Sequence, residues 1–460
     1  MWRSVGKLDL PESECLPHKN QVTSEGSCSS CVEEENKSCK CDSGDKEINT
    51  KDQCIDDHPT KANSSFTHAV INMVGMLIGL GQLSTPYGLE NGGWVSAFLI
   101  IGLGIASAYS THLLGRCLDK NPKLRSYTDI GDQAFGRKGK ILAATFIYLE
   151  IFMSLVSYTI SLHDNLNRAF SGAKLSVSLL GLPKSQLLTL IAVLVALPSL
   201  WLRDLSSISF LSTGGILMSI LIFVSVASTA AFGVKANHSI PILQIEKIPG
   251  ISGLYIFGYA GHIVFPNIYK AMKDPHKFTK VAIVSFATVT TLYVALAFMG
   301  AKLYGPALNA QITLSMPPHL LVTKLALWAT VLTPMTKYAL EFAPFAIQLD
   351  HNLPTSLGSR TRRIIRGGVG SILLLLILAL ALTVPYFHHV LGLTGSLVSV
   401  AICIIMPCTF YIKIFQGEIQ KPYLILNLGF IILAYVLGVV GTVSSSKALI
   451  QTMKAATHHT

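Results

Sequence analysis

Charge is what this chain of 460 residues most lacks: 13% of it is Asp, Glu, Lys or Arg, against about 25% in soluble domains. A soluble protein of this size could not cover its surface with so few charges. The phosphate-cradling loop GxxxxGK[ST] does not occur, which excludes ATP-driven pumping by this chain alone. No GxGxxG follows a strand, and HExxH and GxSxG are missing, so the common nucleotide, zinc-protease and serine-hydrolase chemistries have no foothold. Aspartate is absent from the depth of the apolar stretches, which excludes a membrane aspartyl protease. Glycine and proline, at 36 and 20 residues, are too few and too aperiodic for a fibrous chain.

What is present is apolar sequence, 50% of the chain, with a mean hydropathy of +0.51. The formal charge of +11 does not indicate a nucleic-acid partner. The basic residues sit in short loops between apolar runs, where a membrane accounts for them. The chain reads as an all-α polytopic membrane protein, with membrane lipid as its surroundings.

Residues 1–65 differ from the rest, with eight Lys/Arg, thirteen Asp/Glu and the acidic run Glu33-Glu34-Glu35. Such a segment cannot bury enough apolar surface to offset its ordering entropy and is expected to be a disordered cytosolic tail. It contains no apolar core of a cleaved signal peptide, so the first apolar span is expected to direct insertion. Six of the nine cysteines lie here: Cys15, Cys28, Cys31, Cys39, Cys41 and Cys54. Cys28-x-x-Cys31…Cys39-x-Cys41 has superficial zinc-ligand spacing, but its polar surroundings and a reducing cytosol favour a solvated tail without metal or disulfide.

From residue 66 to 445, eleven apolar stretches are long enough to cross a bilayer as helices: about 67–89, 93–115, 141–166, 187–202, 208–232, 250–270, 279–303, 318–347, 362–384, 388–412 and 422–445. Residues 446–460 form a short C-terminal tail. With the N-terminus in the cytosol, eighteen loop Lys/Arg fall on the cytosolic side, Arg116, Arg137, Lys280 and Arg366 among them, and eight on the other. That bias fixes the expected orientation. Of the sequons at Asn36, Asn63 and Asn237, only Asn237 then faces a glycosylating compartment.

Spans one and six carry the informative pattern. The first holds Gly75, Gly79 and Gly81 before Pro86; the sixth holds Gly253, Gly258 and Gly261 before Pro266. Glycine tolerates unusual backbone angles and proline removes a donor, so each span invites a break. The two broken spans are separated by an odd number of crossings and therefore run in opposite directions, as an inverted repeat of five plus five helices requires. A break frees backbone groups that must line a cavity or meet a ligand. Half-helix N-termini suit a carboxylate and freed carbonyls suit an ammonium, the two ends of a zwitterionic amino acid. The competing explanation is close packing of helices on small residues.

Asn72…Gly79-x-Gly81-x-Leu83-x-x-Pro86-Tyr87 with Gly92-Gly93-Trp94 resembles the first broken helix of the amino acid/auxin permease family. Ser126-Tyr127-x-Asp129-Ile130-Gly131, Asp164-Asn165-Leu166, Gly258-Tyr259-x-Gly261-His262-x-x-Phe265-Pro266 and Thr333-Pro334-x-x-Lys337-Tyr338 extend the likeness over about residues 66–445. It is nearest the branch of vesicular inhibitory and vacuolar AVT-type transporters. The resemblance implies the amino-acid–polyamine–organocation (LeuT-like) fold, amino acid substrates and proton coupling, in a vacuole or another acidic endomembrane, with the plasma membrane as the alternative. It implies no cofactor beyond the coupling protons.

Several residues are candidates for the site. Gly79, Gly81 and Gly261 shape the breaks; Ser84 and Thr85 either donate to a substrate carboxylate or bond the preceding helical turn; Phe257 and Tyr259 either wall a side-chain pocket or pack. Ionisable groups at membrane depth are costly and invite a functional role. Glu150 either exchanges protons or is a neutral, hydrogen-bonded structural carboxyl. Lys337 and Glu341, four apart on one helical face, either neutralise each other or leave Lys337 as a fixed charge where sodium-coupled relatives hold a cation. His262, an imidazole that titrates in water at about 6.5, either handles protons or bonds a freed carbonyl. His388-His389 reads as an interfacial feature rather than a metal site. Two functions compete: a transporter cycling around the midplane site, and an amino acid sensor signalling through the tail. Turnover separates them.

Overall fold

The computed structural model describes residues 64–171, 183–196, 205–233, 238–353 and 357–457. All but the last two residues of the expected tail, its six cysteines included, and the sequons at Asn36, Asn63 and Asn237 lie outside the described residues. So does part of the fourth expected span. Among the described residues there are helices and no strands, apart from one isolated bridge between Ser64 and Met272.

In chain order the helices are α1 (Phe66–Leu77), α2 (Leu80–Gly92), α3 (Trp94–Lys120), α4 (Tyr127–Ala169), α5 (Lys184–Ala196) and α6 (Leu205–Ser228). They continue with α7 (Ile248–Gly258), α8 (Phe265–Ala271), α9 (Phe278–Tyr304), α10 (Ile312–Ser315) and α11 (Leu321–Asn352). The last are α12 (Ser359–Thr383), α13 (Phe387–Thr394), α14 (Met406–Ile414) and α15 (Lys421–Thr457). Among the described residues, seven helical segments are long and apolar enough to cross a membrane, and α1 with α2 forms an eighth, bent by 60°. The sixth expected span is present as the short α7 and α8, and α15 runs on past 445 to Thr457.

Local chemistry explains the boundaries. Ser65 caps α1 by accepting from the His68 amide at 3.3 Å. Ser126 and Asp129 form a reciprocal capping box that opens α4, which is the physical content of the Ser-Tyr-x-Asp motif. Ten residues into α4 the chain kinks at Gly136, whose φ of +62° favours glycine. Between α13 and α14 two π-helical turns, Gly395–Ser399 and Ala401–Ile405, widen the tenth span.

Both predicted breaks are present, but they differ in form. α1 stops at Ile78–Gly79 and α2 restarts at once, with Pro86 inside it. α7 stops at Gly258 and α8 starts only at Phe265, with Pro266 in its first turn. Proline fits a first turn, where its missing N–H has no helical partner to lose. Inside α2, Pro86 frees the carbonyl of Gln82, and the Thr85 hydroxyl takes it at 3.0 Å. Equal glycine-to-proline spacing therefore marks two different devices.

The broken spans run antiparallel. Ser64, preceding α1, exchanges backbone bonds with the end of α8: its amide donates to Ala271 at 2.9 Å and Lys273 donates back at 3.0 Å. At the other side, Trp94 donates to the carbonyl of Pro241 at 3.0 Å, and Lys247 Nζ donates to Asn91 Oδ1 at 2.8 Å. Two of the half-helices are well enclosed: α2 is buried except at Tyr87 and Asn91, and Ile251 to Gly258 of α7 are all buried. α15, in contrast, presents Ile425, Ile432 and Val439 outward, as a lipid-facing helix does.

Candidate functional site

The carbonyl ends of the two first half-helices converge. Tyr293 Oη, from α9, lies 2.8 Å from the carbonyl oxygen of Leu77 and 2.9 Å from that of Gly258. One hydroxyl proton is shared between the last residue of α1 and the last residue of α7. Just beyond, Gly81 of α2 lies against Gly258, so closely that an added methyl group would overlap Gly258 Cα. Two residues before Leu77, the carbonyl of Gly75 accepts from Lys337 Nζ at 3.3 Å, placing an ammonium at the negative end of α1.

A cavity of about 80 Å³ opens at this crossing. Gly79, Leu80 and Gly81 line it from the first break; Phe257, Gly258 and Gly261 line it from the second. No side chain caps the first turn of α2, and the first amides of a helix have no partner inside it. The site thus offers the amides of Leu80 and Gly81 at the start of α2, the Gln82 amide being taken by the Gly79 carbonyl at 3.3 Å. Six non-helical residues between α7 and α8 bring further backbone to it, although the amides of Tyr259, Ala260 and Val264 donate to Ile256, Phe257 and Gly261. Glu150, Ser154, Tyr158 and Glu341 complete the polar lining, and Ile151, Ile263 and Ile402 are apolar walls. Ser399 Oγ, brought inward by the first π-turn, sits 2.8 and 2.9 Å from the two oxygens of Glu150. A single serine proton serves both.

Of the residues singled out in the sequence, Gly79, Gly81, Glu150, Phe257, Gly261 and Glu341 come together on the cavity. Ser84, Thr85, Tyr259, His262 and Lys337 do not line it. Ser84 and Thr85 are buried and donate to the carbonyls of Gly81 and Gln82, so both hydroxyl protons are used inside α2. Tyr259 turns away: its hydroxyl meets the carbonyl of Ile100 at 3.1 Å and Thr290 Oγ1 at 2.9 Å. Lys337 and Glu341 act electrostatically on one another, yet Lys337 reaches the α1 end while Glu341 reaches the cavity.

His262 is fully buried against α3, its Nε2 within 2.9 Å of Ser110 Oγ, 3.1 Å of Thr111 Oγ1 and 3.2 Å of the Ser107 carbonyl. Both of those hydroxyls donate to the same Ser107 carbonyl, at 3.0 and 2.8 Å. Nε2 therefore carries the ring proton, and Nδ1 is left without a donor. Sequence reasoning missed Tyr158, Tyr293 and Ser399. Each lies in or beside an uninterrupted apolar stretch, where no local signal marks the face that meets the break.

A multi-pass helical protein whose two broken, antiparallel spans cross at an enclosed cavity has the layout of a membrane transporter. Residues 62–451 match the family described as transmembrane amino acid transporter protein, and the chain belongs to that family. It is 59% identical to amino acid transporter AVT1H of Arabidopsis thaliana over 425 residues, covering 92% of this chain and 98% of that protein. Amino acid transporter AVT1E of the same plant is 39% identical, covering 85% of this chain and 74% of the relative. The vesicular GABA transporter of Caenorhabditis elegans is 25% identical, covering 89% and 85%. Among solved structures, a Na+-coupled sialic acid symporter in a substrate-bound outward-open state aligns at 13% identity with a TM-score of 0.47, covering 84% of this chain and 89% of that one.

Proposed function

We propose that the protein is a proton-coupled secondary active transporter of neutral amino acids, working by alternating access around the cavity at the two helix breaks. The observation that carries this reading is the meeting of Glu150 and Glu341 with both breaks on one cavity. The amides at the start of α2 suit the substrate carboxylate, and the carboxyls and freed carbonyls suit its ammonium. The walls of Phe257, Ile151 and Ile402 suit an uncharged side chain. Glu150 and Glu341 are groups able to gain and lose a proton, and Lys337 already supplies a positive charge at α1, so the coupling ion is a proton rather than sodium. The bias of loop Lys/Arg supports a cytosolic N-terminus, and a vacuole or other acidic endomembrane would supply the driving gradient.

The test is reconstitution of the purified protein in liposomes with a labelled amino acid mixture, with and without an imposed pH gradient. Gradient-driven accumulation of neutral amino acids is expected. Accumulation driven by sodium alone, or saturable binding without accumulation, overturns the reading.

A further inference from the structure

A second cavity, of about 1050 Å³, lies between α3 and α9, away from the helix breaks. Gly104 and Ala108 on α3 and Ala287 and Ala295 on α9 line it; at Gly104 the helices meet so closely that an added methyl group would overlap Thr290 Oγ1, and small residues beside this contact leave an open groove along it. Its edges, Ile105 and Ile283, are 63% and 56% exposed, and in a membrane-spanning protein such edges face hydrocarbon. Toward the C-terminal end of α3, Tyr109 and His112 also line a separate polar cavity of about 300 Å³. The two volumes meet at these side chains, where His112 Nδ1 and Thr279 Oγ1 join α3 to α9 at 2.8 Å. The apolar groove and the polar cavity are thus neighbours, with the side chains of Tyr109 and His112 as their common wall.

The polar end selects for negative charge. Arg116, Gln420 and Tyr423 line it together with Glu418. The Glu418 carboxylate is held by Lys120 Nζ at 2.7 Å, which leaves the Arg116 guanidinium, resting 5.9 Å over the Phe415 ring, as the net charge. Gln420 immediately precedes α15 and Tyr423 lies in its first turn, which holds no acidic residue, so the positive end of α15 borders the cavity. This is also the side with the majority of loop Lys/Arg, and basic pockets between helices on such a face bind anionic headgroups.

We propose that the groove and the neighbouring polar cavity together bind an anionic glycerophospholipid, one acyl chain lying in the α3–α9 groove and the phosphate reaching past Tyr109 and His112 to Arg116. The lipid chain rests on the back of the sixth span: Thr290, in the groove wall, bonds Tyr259, and Phe286 packs on the rings of Tyr259 and His262 at 6.0 and 6.1 Å. The site is independent of the transport reading, because occupancy is measured without substrate.

The test is native mass spectrometry of the purified full chain, delipidated and then exposed to phosphatidylglycerol or to phosphatidylcholine with the same acyl chains. One phosphatidylglycerol is expected to be retained with about five-fold preference, the worth of one basic side chain near a membrane surface. Arg116→Ala removes the preference and keeps chain binding. Ala287→Trp, which fills the groove from a lipid-exposed position, removes retention of both lipids, and Ile105→Trp fills it from the opposite wall should the first variant fail to insert. Equal retention of both lipids by the unaltered protein, a preference that survives Arg116→Ala, or retention that survives a filled groove overturns the proposal.

Discussion

Gly81 and Gly258 lie in contact where the second half of one broken helix crosses the first half of the other: a methyl group added at Gly81 would overlap Gly258 Cα, and one added at Gly258 would press on the Tyr293 ring. Overpacking a well-filled interior costs about 1–3 kcal/mol when neighbouring side chains can yield; here the neighbour is backbone. Gly81→Val is therefore expected to reach the membrane at normal levels and to transport at background rates, measured as liposome uptake per inserted protein. Normal uptake by this variant would remove the crossing from the mechanism.

Tyr293 joins the same two elements from behind, one hydroxyl serving the carbonyls of Leu77 and Gly258. Tyr293→Phe keeps the ring and leaves both carbonyls without that donor. A buried polar group that loses its partner costs about 1–3 kcal/mol, so a lowered melting temperature and slower uptake are expected together. An unchanged melting temperature with normal uptake would show that water replaces the hydroxyl and that the clasp is dispensable.

The fold was legible in the sequence wherever a local rule decides it. Long apolar runs give helices because a spanning segment must bond its own backbone, and glycine with proline gives breaks. The breaks themselves were legible, yet their form was not: Pro86 ended up inside α2 and Pro266 at the start of α8, a difference set by packing around each segment. The same limit governs the site. Glu150 could be named because a carboxyl at membrane depth is conspicuous, but its partner Ser399 is one of many serines in apolar helices, brought inward by a π-turn that no spacing announces. Ser84 and Thr85 stood beside the break in sequence, and their hydroxyls turned back on their own helix.

Lys337 and Glu341 divide their work between the end of α1 and the cavity. Removing one member of such a buried, oppositely charged couple leaves the other uncompensated, at a cost of about 3–5 kcal/mol. Lys337→Met is expected to lower expression and melting temperature severely, and Lys337→Met with Glu341→Gln to recover much of the stability without transport. A double variant no more stable than Lys337→Met alone would show that the two charges do not compensate each other, and Lys337 would then act only on Gly75.

Glu150 offers the sharpest test of coupling, because glutamine has the shape of the carboxylic acid and its uncharged state at every pH. Ser399 can still donate to the amide oxygen, so Glu150→Gln preserves the contact that holds the side chain. If the carboxyl carries the coupling proton, the variant is fixed in the equivalent of its loaded form. Exchange of labelled for unlabelled amino acid across the liposome membrane should then continue, with KM changed little, while accumulation driven by a pH gradient disappears and the pH profile of uptake flattens. Ser399→Ala should retain coupling and shift that profile, since it removes a hydrogen bond to the carboxyl rather than the proton-carrying group. A Glu150→Gln variant whose accumulation still follows the gradient, with an unaltered pH profile, would take Glu150 out of proton coupling and leave Glu341 as the carboxyl to test on the cavity.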